Sequence, residues 1–296
     1  MKAMVLAAGL GTRLLPFTLK RPKPLFPVVG QPLLLRIIEQ LRQAGSNSIL
    51  VNAHHLKEQI VAAMAGRPDV VVQEEIEELG TGGGLRLARD RFGDQPVLVV
   101  NGDICHDIDL AEVYQRHCES GAEVTMVLHD CPRFNNVQVG GGARVVGFGK
   151  EPIAKVSSLL AFTGIQVINP AVLELMPAGC FFNIIDCYQQ LLAQGGTING
   201  AVVREHFWTD MGTPTDYLAL HDTLLTAKSK LRSGPAWGSP FFMGDDVRCG
   251  PDVKFHDWVA IGNNARIGEG CVLRRVVVWD GAVVAPGAKL TDTIVA

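Results

Sequence analysis

From residue 243 onward, large apolar residues return every six positions: Met243, Cys249, Phe255, Ile261, Ile267 and Leu273. Four residues after each stands a small or branched one: Val247, Val253, Val259, Ala265, Cys271 and Val277. The register then slips by one residue and resumes at Val278, Val284 and Leu290, with Ala282, Ala288 and Ile294 in the second slot. A period of six fits neither a helix nor an alternating strand. It predicts short strands joined by turns and stacked coil on coil, each coil burying what the last one exposes. Gly244, Gly250, Gly262 and Gly268 follow the large residue, where a tight corner asks for glycine. The rim of the last coil, near Ile294 and Val295, needs a cap or a partner chain, so a homo-oligomer through this region is expected.

The first two-thirds of the chain has a different rhythm. Ala3 to Ala8, Ser48 to Asn52 and Val97 to Val100 read as short buried strands. Leu34, Ile37, Ile38 and Leu41 share a helical face that Gly45 ends, and Leu56, Ile60, Val61 and Met64 form a second, ended near Gly66. Such alternation predicts an α/β domain with a mixed, mostly parallel sheet covered by helices. Val137 to Phe148 reads instead as a hairpin, and Thr213-Pro214 as a helix start. This divides the 296 residues into a domain over 1–226, a Pro- and Gly-bearing linker over 227–241, helical at its start, and the repeat over 242–296.

Hydrophobic residues make up 47% and the net charge is only -3, from 27 basic and 30 acidic residues, so neither a disordered chain nor a nucleic-acid-binding surface is indicated. No apolar run approaches the ~18–20 residues that span a bilayer, so no membrane is expected. The mildly apolar Met1 to Leu10 is cut short by Gly11-Thr12-Arg13, too early for an export signal. Seven cysteines, an odd number without a CxxC pair, read as reduced thiols of a cytoplasmic protein.

The chemistry concentrates in Leu6-Ala7-Ala8-Gly9-Leu10-Gly11-Thr12-Arg13, continued by Arg21-Pro22-Lys23-Pro24-Leu25. A strand ending in small residues lets backbone N–H groups approach phosphate oxygens, and Arg13 adds a planar fork suited to phosphate. Lys23 lies between two prolines that stiffen the loop presenting it. A dinucleotide fingerprint fails because position 14 is leucine, and no GxxxxGK string followed by Ser or Thr exists for a P-loop. Asp103, in Asn101-Gly102-Asp103, and Asp210, in Trp208-Thr209-Asp210-Met211-Gly212, each follow an apolar segment and precede a turn. Each alone is as readily a turn or cap residue; together they have the donor type that Mg²⁺ takes from a protein.

The long string resembles the signature of the nucleoside triphosphate:sugar-1-phosphate nucleotidylyltransferases, and the resemblance runs through roughly residues 1–226. The hexad tail resembles the left-handed β-helix that many members carry; its handedness comes from that resemblance alone. The family likeness implies a Rossmann-like nucleotide-diphospho-sugar transferase fold and substrates that are a nucleoside triphosphate and a sugar 1-phosphate. It implies nucleotide binding by Leu6, Ala7, Ala8, Gly9, Gly11, Thr12, Arg13 and Gln73, and by the loop of Gly80, Thr81 and Gly82 beside the base. It implies catalytic roles for Arg13 and Lys23, Mg²⁺ on Asp103 and Asp210, and sugar-phosphate contacts from Asn101, Gly102, Thr163, Gly164 and Lys150. Lys150-Glu151-Pro152 departs from the family's Glu-Lys-Pro, so either residue, or neither, reaches the sugar phosphate.

The likeness is greatest to mannose-1-phosphate guanylyltransferases. N-acetylmuramate- or glucose-1-phosphate enzymes using UTP or dTTP stay open, as does a non-catalytic regulatory homologue. Elsewhere Glu74, Glu75, Glu77 and Glu78 read as a solvated loop, His54 and His55 as capping or packing residues, and Cys180 and Cys187 as flanking a helix. Asn183 and Asp186 are weaker candidates for facing the sugar.

Overall fold

The computed structural model describes residues 1–151, 158–226 and 240–296. The linker expected over 227–241 lies, up to residue 239, outside the described residues, as does Pro152. In chain order β1 (Lys2–Leu6) is followed by the ribbon β2 (Pro27–Val28) and β3 (Gln31–Pro32), then α1 (Leu33–Gln43), β4 (Ser48–Ala53), α2 (Lys57–Met64) and β5 (Val70–Glu74). Next come α3 (Gly80–Leu87), α4 (Arg89–Phe92), β6 (Val97–Asn101), β7 (Ile104–His106), α5 (Leu110–Ser120), β8 (Val124–His129), β9 (Val137–Val139), β10 (Val145–Phe148) and β11 (Ser158–Ile168). Then follow α6 (Ile184–Ala193), β12 (Ile198–Val202), β13 (Trp208–Asp210) and α7 (Pro214–Leu225). The repeat supplies β14 (Phe241–Met243), β15 (Arg248–Cys249), β16 (Lys254–Ile261), β17 (Arg266–Ile267), β18 (Val272–Val278), β19 (Val283–Val284) and β20 (Lys289–Val295).

Two compact units interleave along the chain. The first comprises Met1–Leu10, Ile37–Gly102 and Ile108–Glu205; the second comprises Gly11–Arg36, Asp103–Asp107 and His206–Ala296. The first unit is built on a mixed sheet of order β10-β9-β11-β6-β1-β4-β5, with β8 on β11 and β12 on β8. The run β6-β1-β4-β5 is parallel, as its unbroken apolar strands predict, and β11 enters antiparallel to β6. Val97, Leu98, Val99 and Val100 are fully buried, and helices α3 and α6 contribute Leu85, Ile184, Cys187 and Tyr188 to the same core. Cys187 thus lies inside a helix rather than beside one. The predicted hairpin is present as β9 and β10.

The second unit contains the β-helix. β14, β16, β18 and β20 stack parallel to form one side, and β15, β17 and β19 another. Corner residues with left-handed backbone stack in columns: Asp246, Asn264 and Gly281; Asp252, Gly270 and Gly287; Asp257, Arg275 and Asp292. Asp, Asn and Gly tolerate that conformation best, which explains their recurrence. The one-residue slip falls earlier than the sequence suggests. Lys254 pairs with Val272, but beyond a bulge Val259 pairs with Val276, so Asp257 and Trp258 oppose the single Arg275. Val276 therefore takes the interior slot expected of Val277. Val277 and Ile294, in register with Ala260, face outward and are buried on the side where α7 packs. Ile294 is therefore not part of an open rim.

Candidate active site

In the second unit, the loop after β1 folds back on itself. Gly11 has φ +63°, and a Cβ there would lie 2.9 Å from Thr18 Cγ2 and 3.4 Å from Lys23 Cβ. Thr18 donates its hydroxyl to the Gly11 carbonyl at 3.3 Å. Pro22 opens a short 3₁₀ turn over Lys23–Leu25, in which Leu25 N–H reaches the Pro22 carbonyl and Phe26 N–H the Lys23 carbonyl at 2.9 and 3.0 Å. The turn buries the stem of Lys23 and delivers its ammonium to two carboxylates: Asp103 Oδ2 at 2.6 Å and Asp210 Oδ1 at 3.4 Å.

Those carboxylates come together because β7 and β13 form an antiparallel ribbon in which Asp210 is in register with Ile104, one residue from Asp103. Met211 N–H adds a bond to the Asp103 carbonyl at 3.1 Å. Asp103 thus follows a central strand of the parallel run, while Asp210 closes a two-stranded ribbon instead of ending a sheet strand. Burial, reinforced by the charge of Asp103, lifts the Asp210 carboxyl above the ordinary aspartate range; Lys23 and Arg13 pull it back. Arg13 lies at 3.9 Å from Asp210 Oδ2 and is mostly exposed. Gly212 makes this crowding possible: a Cβ there would stand 2.6 Å from Asp210 Oδ2 and 3.1 Å from Arg13 Nη1. Gly11, Thr12, Arg13, Lys23, Asp103 and Asp210 are therefore residues of one compact unit.

The first unit holds the other candidates. Leu6 ends β1 in register with Asn52, the penultimate residue of β4, and with Asn101, the last of β6. Asn52 Oδ1 accepts the Ala7 N–H at 2.7 Å, and its amide donates to Glu75 Oε1 at 2.7 Å. Gly102 N–H returns to the Leu6 carbonyl at 2.8 Å, and Ala8 and Gly9 follow as the strand exit. Gly164, at φ +83°, lets Asn101 close on it: a Cβ would meet Asn101 Nδ2 at 2.8 Å. Thr163 is fully buried with its hydroxyl on the Val127 carbonyl at 2.9 Å, so its side chain serves the sheet. Lys150 is exposed and lines a cavity of about 530 Å³ with Gln138, Phe148 and Gln189.

Gly80, Thr81 and Gly82 do not form the loop expected of them; they begin α3. Gly82 and Gly83 donate to the Phe182 carbonyl at 2.8 and 3.2 Å, and Thr81 Oγ1 accepts from Ile184 N–H at 3.1 Å. Gln73 is buried and donates to the Gly84 carbonyl at 2.9 Å. Glu75 is also not the solvated residue expected: it is 2% exposed, and burial raises its carboxyl above the usual range against the opposing pull of Asn52. Asn183 caps α6, accepting from Ile185 N–H at 2.9 Å. His54 Nδ1 lies 3.3 Å from the Glu75 carbonyl. Asn52, Glu75 and Gly212 escape sequence reasoning. For Asn52 a signal exists, because Asn52 and Asn101 each place the same polar side chain directly after an apolar run.

Among the described residues, no helix is long and apolar enough to cross a membrane. A profile of the family described as nucleotidyl transferase matches residues 2–227. The probable mannose-1-phosphate guanylyltransferase 2 of Arabidopsis thaliana is 31% identical, aligned over 100% of this chain and 81% of its own length. The UTP–glucose-1-phosphate uridylyltransferase of Synechocystis is 28% identical over 100% of this chain and 87% of its own. A crystal structure of a putative glucose-1-phosphate thymidylyltransferase from Bacillus anthracis shares the fold, with a TM-score of 0.67 at 20% identity over 81% of this chain and 99% of that one. With a signature loop whose lysine meets two aspartates and a family profile covering three-quarters of its length, the chain belongs to the nucleotidyl transferase family, that of its sugar-1-phosphate nucleotidyltransferase relatives.

Proposed function

We propose that the protein joins a nucleoside triphosphate to a sugar 1-phosphate, giving a nucleoside diphosphate sugar and pyrophosphate. The observation that carries this reading is the meeting of Lys23, Asp103 and Asp210. An oxygen of the sugar phosphate attacks the α-phosphorus in line, a new P–O bond forms, and the bond to the β-phosphate bridging oxygen breaks. The attacking oxygen is already anionic, so no side chain need remove a proton, and the protein contributes alignment and charge stabilisation. Lys23 bridges the donor α-phosphate and the acceptor phosphate, reducing their repulsion. Arg13 offsets the charge on the departing pyrophosphate. The strand exit Leu6–Gly9, with Gly11 and Thr12, offers backbone N–H groups to the triphosphate. In this reading Gln73, Gly80, Thr81 and Gly82 would serve the base and Asn101, Gly102, Gly164 and Lys150 the sugar phosphate, while Thr163, whose hydroxyl is spent on the Val127 carbonyl, would act only through the sheet.

Asp103 and Asp210 also fit Mg²⁺. Two carboxylates converge closely enough for one to raise the pKa of the other, a repulsion that a hard cation relieves. When bound, Mg²⁺ supplies charge neutralisation of the polyphosphate.

Within this reading GTP and mannose 1-phosphate come first, supported by the guanylyltransferase relatives. UTP or dTTP with glucose 1-phosphate is the second, supported by the uridylyltransferase relative. A cytoplasmic setting and a homo-oligomer through the β-helix belong to the same proposal; a monomer mass by light scattering would count against the latter. A panel of triphosphates against sugar phosphates, assayed for pyrophosphate, tests the whole. Turnover is expected with one pair, and Lys23→Ala is expected to lower it by ~10²–10³. No turnover with any pair, or near-normal turnover by that variant, overturns the reading.

A further inference from the structure

Trp279 stands at the corner of the β-helix just after β18. It is 3% exposed, far from Lys23 in sequence, yet its indole touches both flanks of the segment that carries Lys23. The Phe26 ring packs edge-on against it with centroids 4.7 Å apart, and Phe17 lies at 6.0 Å. The Arg21 guanidinium sits over its face at 4.9 Å and reaches the neighbouring Asp280 at 3.5 Å. Arg21 is two residues before Lys23, and Phe26 is hydrogen-bonded to the Lys23 carbonyl. One side chain thus grips the chain on either side of Pro22-Lys23-Pro24, a stretch that its prolines make too stiff to absorb a shift at its ends.

The indole is itself fixed. Its Nε1–H donates to Tyr217 Oη at 3.2 Å, and the Tyr217 hydroxyl donates to the Pro27 carbonyl. Its own backbone N–H is bonded to the Val295 carbonyl of the next coil at 2.8 Å. Further contacts tie the same loop to the same region: His221 Nε2 accepts Val29 N–H at 3.2 Å, and Lys20 Nζ donates to the Ala296 carbonyl at 2.6 Å. Residues 11–36, 103–107 and 206–296 accordingly form one compact unit.

We propose that Trp279 is a positioning residue for nucleotidyl transfer: the β-helix, through this indole, holds the loop that presents Lys23 to the reacting phosphates. The proposal rests on the role of Lys23 argued above. A misplacement of an ångström at a reacting centre can cost ~10²-fold, so loosening this grip falls on kcat more than on KM.

The test is a double-mutant cycle in the full chain, with kcat and triphosphate KM measured for wild type, Trp279→Leu, Lys23→Ala and the pair. Trp279→Leu is expected to lower kcat by about tenfold or more with a smaller change in KM. Lys23→Ala is expected to cost clearly less in the Trp279→Leu background than in wild type, because a lysine already displaced has less to lose. Trp279→Leu with kcat within twofold of wild type, or losses that multiply in full, overturns the inference. Should Trp279→Leu fail to fold by circular dichroism, Tyr217→Phe, which deletes only the hydroxyl between the indole and Pro27, takes its place under the same criteria. If Lys23→Ala itself costs nothing in the wild-type background, the functional reading fails; if it costs its full factor while the cycle is additive, only the inference about Trp279 fails.

Discussion

Asp210 illustrates how one residue carries opposing demands. Its carboxylate faces Lys23 and, in the proposed function, would face a divalent ion, yet burial and Asp103 both push it toward the protonated form. If Asp210 holds the ion as proposed, the ionised form is the working one, and activity should rise with pH through an Asp210 pKa above the ~4 of a free aspartate. An acid limb of kcat/KM at or below that value would show that Asp210 ionises as a free carboxyl does and does not gate the reaction. At this scale the sequence is legible where the candidates stand in a string: Arg13, Lys23, Asp103 and Asp210 each belong to a motif, and the structure brings the four side chains together. It fails at Glu75. Four glutamates in five positions look solvated, and only the parallel neighbour β4, which brings Asn52 to Glu75 Oε1, shows that one of them is buried. No local pattern contains that pairing.

At the scale of elements, α3 runs against its own propensities. Gly80 opens it at φ +68°, and Gly82, Gly83 and Gly84 occupy its first turns, each of these three costing about 1 kcal/mol relative to alanine in a helix interior. Packing explains the choice: a Cβ at Gly83 would lie 2.5 Å from the Cys180 carbonyl oxygen, and one at Gly84 2.7 Å from Glu75 Oε1 and 2.8 Å from Asn52 Nδ2. The loop expected here follows from the family likeness, and the reason a helix tolerates these glycines lies in other segments. Gly84→Ala sets the two effects against each other. Propensity alone would stabilise by about 1 kcal/mol, while overpacking a buried hydrogen-bonded pair costs about 1–3 kcal/mol. The net expectation is destabilisation, read as a lower thermal midpoint; a raised midpoint would mean that Glu75 and Asn52 yield at no cost. The β-helix was more legible, since its six-residue period survives in the structure. The misplaced slip arises because Val276, Val277 and Val278 are identical and give no phase.

At the scale of the molecule, sequence order and compactness part company: the second unit gathers three separated segments, and its interior holds His221 and His106. Both are buried, and burial drops each imidazole to about 4. His221 Nδ1–H donates to the Tyr217 carbonyl at 2.9 Å while Nε2 accepts from Val29, an arrangement that requires the neutral ring. In the unfolded chain the same residue titrates near 6.5. Above that value neither state binds the proton and the full stability is present. As pH falls below it, the unfolded chain takes up a proton that the folded protein refuses until about 4, so stability is lost across that window. At pH 5 the loss is about 2 kcal/mol for each such histidine. Asp210 and Glu75, whose folded carboxyls are raised, act in the opposite sense, so the net slope of the wild type mixes both signs. His221→Gln isolates one contribution, since glutamine keeps a donor and an acceptor and has no proton to gain. Its urea midpoint should lie below that of wild type at pH 7, and the gap should narrow by pH 5. A gap that stays constant over that range would mean that His221 carries its proton in the folded protein and that the Val29 N–H does not need its lone pair.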